Sequence, residues 1–225
     1  MATVRTSRMG AQRKRARPGH SKKVSRQAQV TQAACEIFWE KGYRAASLQD
    51  IADRVGVLKG SLYYYIESKE DLLWRIIEDV HGQAIEILDQ ALALDASPIE
   101  RIRIHIERHV EWYLSNIKAA TVFFREWRNL AGERLSTEKD RRRGYEQVIR
   151  DLMAAAQAAG EVSSELDLRY ATRYVLAAVN AVPDWYRSNL GDSAAQIAEN
   201  YAEMTVGLLT GTPMRSRRAS RRKAS

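Results

Sequence analysis

The sequence predicts an all-α protein: an N-terminal three-helix domain built on a helix-turn-helix, then a C-terminal helical bundle. Three observations carry this. Apolar residues recur at spacings of three and four in every regular segment, and no stretch alternates with the period of two that a half-buried strand requires. Start and stop signals punctuate the chain: Ser47, Ser68, Ser97-Pro98 and Ser136 open segments, and Gly42, Gly56 and Gly160 close them. Two short helical segments flank Gly56, where a tight turn needs an unhindered backbone, as in a helix-turn-helix.

Charge divides the chain before any element is assigned. The 225 residues carry a net charge of +8. Residues 1–24 hold eight Lys or Arg and no acid, and residues 215–225 hold six and no acid. Setting those fourteen aside leaves 22 bases against 28 acids in residues 25–214, a net of −6. Runs of like charge with few apolar residues do not collapse, so residues 1–23 and 213–225 read as disordered basic arms for a polyanion, with nucleic acid the obvious one. Arg15-Ala16-Arg17-Pro18-Gly19 is loosely similar to the Arg-Pro segments that enter A·T minor grooves; a non-specific phosphate-binding arm is the competing reading. No apolar run reaches the ~18 residues of a membrane span, the basic N-terminus lacks the apolar segment of a signal peptide, and the single Cys35 excludes an internal disulfide. These features predict a cytoplasmic protein without membrane contact, with Cys35 a small buried hydrophobe.

The elements follow in order. A first helix is predicted over 25–41, with Val30, Ala33, Ala34, Ile37 and Phe38 inward and Gly42 ending it. Ser47 caps a short helix carrying Leu48, Ile51, Ala52 and Val55. After the Gly56 turn, a second short helix over 58–65 sends Leu62 to the core and Lys59, Gly60, Ser61, Tyr63 and Tyr64 outward. Ser68 caps a long helix to about Leu94, with Leu72, Ile76, Val80, Ala84, Ile87 and Ala91 on one face. Ser97-Pro98 opens a helix with Ile99, Ile102, Ile106, His109, Val110, Tyr113 and Ile117 inward, and a shorter one covers 119–130 before Ala131-Gly132. Ser136 opens the next, with Tyr145, Val148, Leu152, Ala155 and Ala159 inward; its Arg141–Arg143 run reads as a solvated face. Two last helices cover 167–188, with Ala171, Val175, Ala178, Val182 and Trp185 on one stripe, and 192–210, with Ile197, Tyr201, Met204 and Leu208 on another.

Ser47, Ile51-Ala52, Gly56-Val57, Gly60-Ser61-Leu62-Tyr63 and Ser68-Lys69-Glu70-Asp71-Leu72, with the preceding Ala33-Ala34, Ile37-Phe38 and Lys41-Gly42-Tyr43, resemble the N-terminal domain of the tetracycline-repressor (TetR) family. The resemblance covers residues 24–73. One position departs: Leu58 stands where the family usually has Ser or Thr, which removes a side-chain cap worth ~1 kcal/mol. Some relatives that look acyl-CoA-responsive also carry Leu there. The resemblance implies a transcriptional repressor that binds a palindromic double-stranded DNA operator as a homodimer, with residues 74–212 forming an effector-binding and dimerisation domain. It implies base or phosphate contacts from Gln49, Lys59, Gly60, Ser61 and Tyr64, and phosphate contacts from Ser47, Tyr63 and Lys69. It also implies that the last two helices pair with their copies, where Ala171, Ala178 and Ala194 would permit close approach; an intramolecular core uses such residues equally well. A non-specific DNA-compacting protein with basic tails is the alternative from another class.

Nothing in the sequence assembles catalytic chemistry, a cofactor site or a metal site. There is no phosphate-binding Gly-rich loop, nucleophile elbow or Cys cluster. His105 and His109 share a helix face at i, i+4, but Glu107 points about 200° away on a 3.6-residue helix, so a partly buried pair is the simpler reading. Aromatic residues crowd the second domain. The segments Phe123-Phe124-Arg125-Glu126-Trp127 and Asp184-Trp185-Tyr186-Arg187 look like those of family members tied to fatty-acid or steroid breakdown. From that resemblance the expected effector is a small apolar molecule such as an acyl-CoA thioester, met by Trp112, Phe124, Arg125, Trp127, Arg128 and Trp185, with Arg187 a further cation.

Overall fold

The computed structural model describes residues 18–187 and 191–212, with side chains from Arg26 onward. The expected arms over 1–17 and 213–225, including Arg15-Ala16-Arg17, lie outside these residues. The described residues form ten α-helices: α1 (Pro18–Lys41), α2 (Leu48–Val55), α3 (Lys59–Leu62), α4 (Lys69–Leu92), α5 (Pro98–Ser115), α6 (Ile117–Glu126), α7 (Gly132–Ala158), α8 (Leu168–Asn180), α9 (Val182–Trp185) and α10 (Ala194–Thr210); a 3₁₀ turn covers Trp127–Asn129. No strand occurs among the described residues.

The helix-turn-helix is built by local signals. The Ser47 hydroxyl accepts from the Asp50 N–H while the Asp50 carboxylate accepts from the Ser47 N–H, a reciprocal box that starts α2. Gly56 adopts φ +72°, and the N–H groups of Gly56 and Val57 close the end of α2 on Asp53 and Ala52. Leu58 occupies the cap position of α3 without a side-chain bond, so that helix is held by its buried Leu62. α1 begins at Pro18, several residues before the expected Ser25, and residues 18–23 are thus helical rather than part of an arm; proline suits a first helical turn because its missing N–H would have no partner there.

Two apolar cores form, and α4 serves both. The first gathers Val30, Ile37 and Phe38 of α1, Ile51 of α2, Leu62 of α3 and Leu72 through Val80 of α4, closed by Val122, Phe123 and Leu130. The second gathers α5, α7, α8 and α10 around Ile106, Val110, Met153, Val175 and Leu209, with Leu88 of α4 joining it. A boundary at residue 73 therefore falls inside a continuous helix, and residues near 122–130 belong to the first core.

Four registers differ from expectation. α7 starts at Gly132 rather than Ser136, because Ala131 takes an extended cap conformation and its N–H donates to Glu70 of α4. Its buried residues are Glu138, Ile149, Leu152, Met153 and Ala156, whereas Val148, Ala155 and Ala159 face solvent. The helix expected over 167–188 stops at Asn180; Pro183 cannot continue it and instead sits in the first turn of α9. On α10 the buried residues are Ile197, Ala198, Ala202, Thr205 and Leu209, which turns Met204 and Leu208 outward. At α5, Ser97 makes no side-chain cap bond, and the Glu161 carboxylate accepts from the Ile99 N–H in its place. Cys35 is buried in the first core, and desolvation pushes its thiol up to about 11, so it is an inert core residue.

Candidate nucleic-acid interface and ligand cavity

α3 and its flanks present one exposed face. Leu62 is completely buried and anchors the helix, leaving Lys59, Gly60, Tyr63 and Tyr64 exposed and Ser61 half-buried. A Cβ at Gly60 would meet nothing within 4 Å, so the backbone is open to close approach there. Gln49 stands exposed on α2 with its amide donating to Asp53. Several nearby bases are already neutralised: Arg54 is tied to Glu36 and Glu40, and Lys41 to Asp50.

Two of the expected phosphate ligands are committed inside the domain. The Ser47 hydroxyl donates to Asp50 Oδ2 at 2.7 Å within its cap. Lys69 is not free. Its ammonium donates to the carbonyls of Tyr43 (2.9 Å), Arg44 (3.4 Å) and Ala46 (2.8 Å), and lies 4.5 Å from the centre of the Tyr43 ring. Three donors meet three carbonyls of the α1–α2 connection, so the residue fastens that loop to the start of α4.

In the second domain α4, α5, α6, α7 and α8 enclose a cavity of about 210 Å³ lined by His81, Ala84, Tyr113, Phe123, Phe124, Arg142, Tyr145, Glu146, Arg173, Leu176 and Asn180. Arg142 and Tyr145 of this lining belong to organised networks. Arg142 donates through Nε to Glu138 Oε1 (2.6 Å) and through Nη2 to the Phe123 carbonyl (3.2 Å), and its guanidinium lies over the Phe123 and Trp127 rings at 4.3 and 4.6 Å. Glu138 is completely buried, and burial raises its carboxyl and lowers the Arg142 guanidinium. The Tyr145 hydroxyl bridges His105 Nε2 (3.0 Å) and His109 Nδ1 (2.8 Å). Burial lowers both histidines, His105 to about 4, so both are neutral near pH 7. His81 is lowered as well, by burial first and then by Arg141 and Arg142.

Of the six side chains expected to meet an effector, only Phe124 lines this cavity. Trp127 lies behind Arg142, and Arg128 covers the Trp127 ring at 4.5 Å. Trp112 borders a separate cleft beside Cys35 and Ile76, between the two cores. Arg125 pairs with Asp184 at 2.5 Å, and Trp185 stacks on Tyr201 at 6.2 Å. Arg187 donates to the carbonyls of Asp184 and Tyr186. In their place stand His81, Tyr113, Arg142, Tyr145, Glu146, Arg173, Leu176 and Asn180. Within the Arg141–Arg143 run, expected to be a solvated face, Arg142 instead joins Arg173 in the cavity wall and Arg141 is half-buried, pairing with Glu78 over the Trp74 ring, whereas Arg143 is exposed. The available signal was spacing, since Glu138, Arg142, Tyr145 and Ile149 continue one helix face at intervals of four, three and four. Among the described residues no group of His, Cys, Asp or Glu could hold a metal ion, and no helix is long and apolar enough to cross a membrane.

Comparison with known proteins places this arrangement. Residues 30–76 match the model of bacterial regulatory proteins of the tetR family, and residues 95–209 match the tetracyclin repressor-like C-terminal domain. A fatty acid metabolism regulator protein of Bacillus subtilis is 24% identical over 79% of this chain and 92% of its own. The transcriptional repressor KstR2 of Mycobacterium tuberculosis is 26% identical over 83% of this chain and 94% of its own. The solved structure of that ketosteroid regulator superposes with a TM-score of 0.78 over 82% of this chain and 95% of its own. AibR, solved in complex with isovaleryl coenzyme A and operator DNA, shares the fold with a TM-score of 0.73 and 22% identity, over 84% of this chain and all of its own. With both halves matched in order and the helix-turn-helix in place, the chain belongs to the TetR family of DNA-binding transcriptional regulators.

Proposed function

We propose that the protein is a dimeric repressor that reads a palindromic operator with α3 and is released when a small, largely apolar molecule enters the cavity. The observation that carries this reading is the span of α4. Its first turn follows the recognition helix and packs in the first core, while His81 and Ala84 on the same helix line the cavity, about 20 Å further along at 1.5 Å per residue. A ligand that displaces His81 therefore tilts the rod to which α3 is fastened. Operator affinity falls when the two recognition helices no longer match one turn of DNA, ~34–36 Å. Polar straps between the helix-turn-helix, α4 and the segment 129–141 support the coupling: Arg134 pairs with Asp71, Arg141 with Glu78, and Arg44 donates to Asn129.

Dimerisation is supported by an apolar face that the subunit leaves open. Tyr170 and Tyr174 on α8 are 68% and 66% exposed, and Met204 and Leu208 on α10 are 50% and 40% exposed. Ala171 takes no part, being buried within the subunit. The similarity to KstR2 supports repression, and the complex of AibR puts coenzyme A thioesters among the ligands to test. Arg173, 68% exposed at the cavity, is the cation best placed for their phosphates; Arg125, Arg128 and Arg187 are engaged elsewhere. The test is selection of bound fragments from genomic DNA, followed by footprinting. The proposal predicts a short palindrome protected over two adjacent turns and released by a ligand. Uniform coverage without a preferred site would favour the DNA-compacting alternative.

A further inference from the structure

Tyr113 is 2% exposed and lines the cavity, yet its hydroxyl makes no hydrogen bond to any described residue. Its ring is clamped edge-on by His109 at 4.2 Å and Phe124 at 5.1 Å, so the hydroxyl has a fixed direction. Among the described residues the enclosed side-chain atoms without a partner are His105 Nδ1, His109 Nε2, Glu138 Oε2 and Arg150 Nε, so the Tyr113 hydroxyl opens onto the cavity and is free to meet a ligand atom. Desolvation raises this phenol far above its ordinary range, so it remains an O–H donor.

Three other polar groups of the wall, Tyr145, Arg142 and Glu146, are committed, whereas His81 and Asn180 line it without a side-chain hydrogen bond to a described residue. Tyr145 donates its one hydroxyl proton to one neutral imidazole and accepts from the other. The Arg142 charge is matched by Glu138, and Glu146 is matched by Arg150 and Arg173. No unmatched charge remains in the buried part of the wall, so a carboxylate entering there would lose its hydration without gaining a counter-ion. Size sets the second limit. A cavity of roughly 150 Å³ holds benzene, so about 210 Å³ holds a ring with a short substituent, or a short branched chain.

Resting on the reading of this cavity as the effector site, we infer that it selects an uncharged, ring-sized or short-chain apolar molecule bearing one hydrogen-bond acceptor, such as a ketone or ester carbonyl, and that the Tyr113 hydroxyl donates to that acceptor. Tyr113 is then a residue that determines specificity, and the aromatic and aliphatic walls supply bulk affinity.

The experiment uses the full chain and three probes of about nine non-hydrogen atoms each: acetophenone, ethylbenzene and benzoate. Affinities are measured by calorimetry or ligand-observed NMR for the wild type and for Tyr113→Phe. One hydrogen bond corresponds to roughly 3- to 10-fold in affinity. Acetophenone is expected to bind tightest, and Tyr113→Phe to weaken it by that factor while moving ethylbenzene less than about 2-fold. Because the deleted oxygen has no protein partner, the variant should melt within a degree or two of the wild type. The wild-type ranking stands as a test without the variant. Benzoate binding tightest, an equal change for all three probes in Tyr113→Phe, or no binding of any probe at millimolar concentration would overturn the inference. Operator release is followed in parallel. Probes that bind in the expected order without releasing DNA would leave the selectivity intact and refute the switch.

Discussion

Arg142 Nε donates to Glu138 Oε1 at 2.6 Å, and the carboxyl group that receives it is completely buried. Burial works against both charges, raising the acid and lowering the base, and their mutual contact, the Phe123 carbonyl and the aromatic faces around the guanidinium offset it. Glu138→Ala removes one partner of this pair, and breaking a buried pair costs about 3–5 kcal/mol. The unfolding free energy from urea titration should fall by about that much, with Glu138→Gln losing less because one acceptor survives. A loss below about 1 kcal/mol for Glu138→Ala would show that Arg142 is served by solvent from the cavity.

The two buried histidines set an acid limit. Their folded-state pKa values are depressed by burial, His105 to about 4, from an unfolded value of 6.5. Below 6.5 the unfolded chain takes up protons that the folded chain refuses, so stability is full above pH ~6.5 and is lost as pH falls towards 4. From pH 7 to pH 5 His105 should remove about 2 kcal/mol, and His109 acts in the same direction. Urea midpoints across this range should fall less steeply for His105→Gln than for the wild type. Identical slopes would mean that His105 is protonated in the folded state.

Lys69 and Tyr64 separate architecture from reading. Lys69→Met strips donors from three backbone carbonyls and should cost about 1–3 kcal/mol in stability, seen as a lower melting temperature. Because its ammonium is turned into the loop, the salt dependence of DNA binding should stay the same; a slope reduced by about one unit would put a phosphate on Lys69. Tyr64→Ala touches no core residue and should lower the ratio of operator to random-DNA affinity.

Helix existence was legible in the sequence because caps and apolar spacing agree along most of the chain. The box of Ser47 with Asp50, the left-handed Gly56 and the Leu62 anchor are all local, and local signals survive folding. What was not legible depended on distant partners. α7 starts early because Glu70 of another helix receives the Ala131 N–H, and Ser97 goes without a cap bond because Glu161 supplies one. The lining of the cavity depends on distant partners in the same way. Aromatic content pointed to Trp112, Trp127 and Trp185, whereas the wall is made by Arg142 and Tyr145, whose burial is set by packing of α7 against α5 and α6. A charged run shows its composition in one dimension; which of its members faces inward is decided by the register of a helix whose neighbours the sequence does not name.

The paired reading of DNA rests on the open face of α8 and α10. Leu208→Glu would set an unpaired charge into an apolar interface, at a cost of several kcal/mol. The subunit core, centred on Ile106, Met153 and Leu209, does not include Leu208. Sedimentation equilibrium of the full chain, with circular dichroism and operator binding on the same samples, is the most direct measurement. The wild type should be a dimer, and Leu208→Glu a monomer that keeps its helix content and loses operator affinity, since the second half-site is no longer held nearby. A variant that stays dimeric and merely melts earlier would contradict the assignment of this face to the partner subunit.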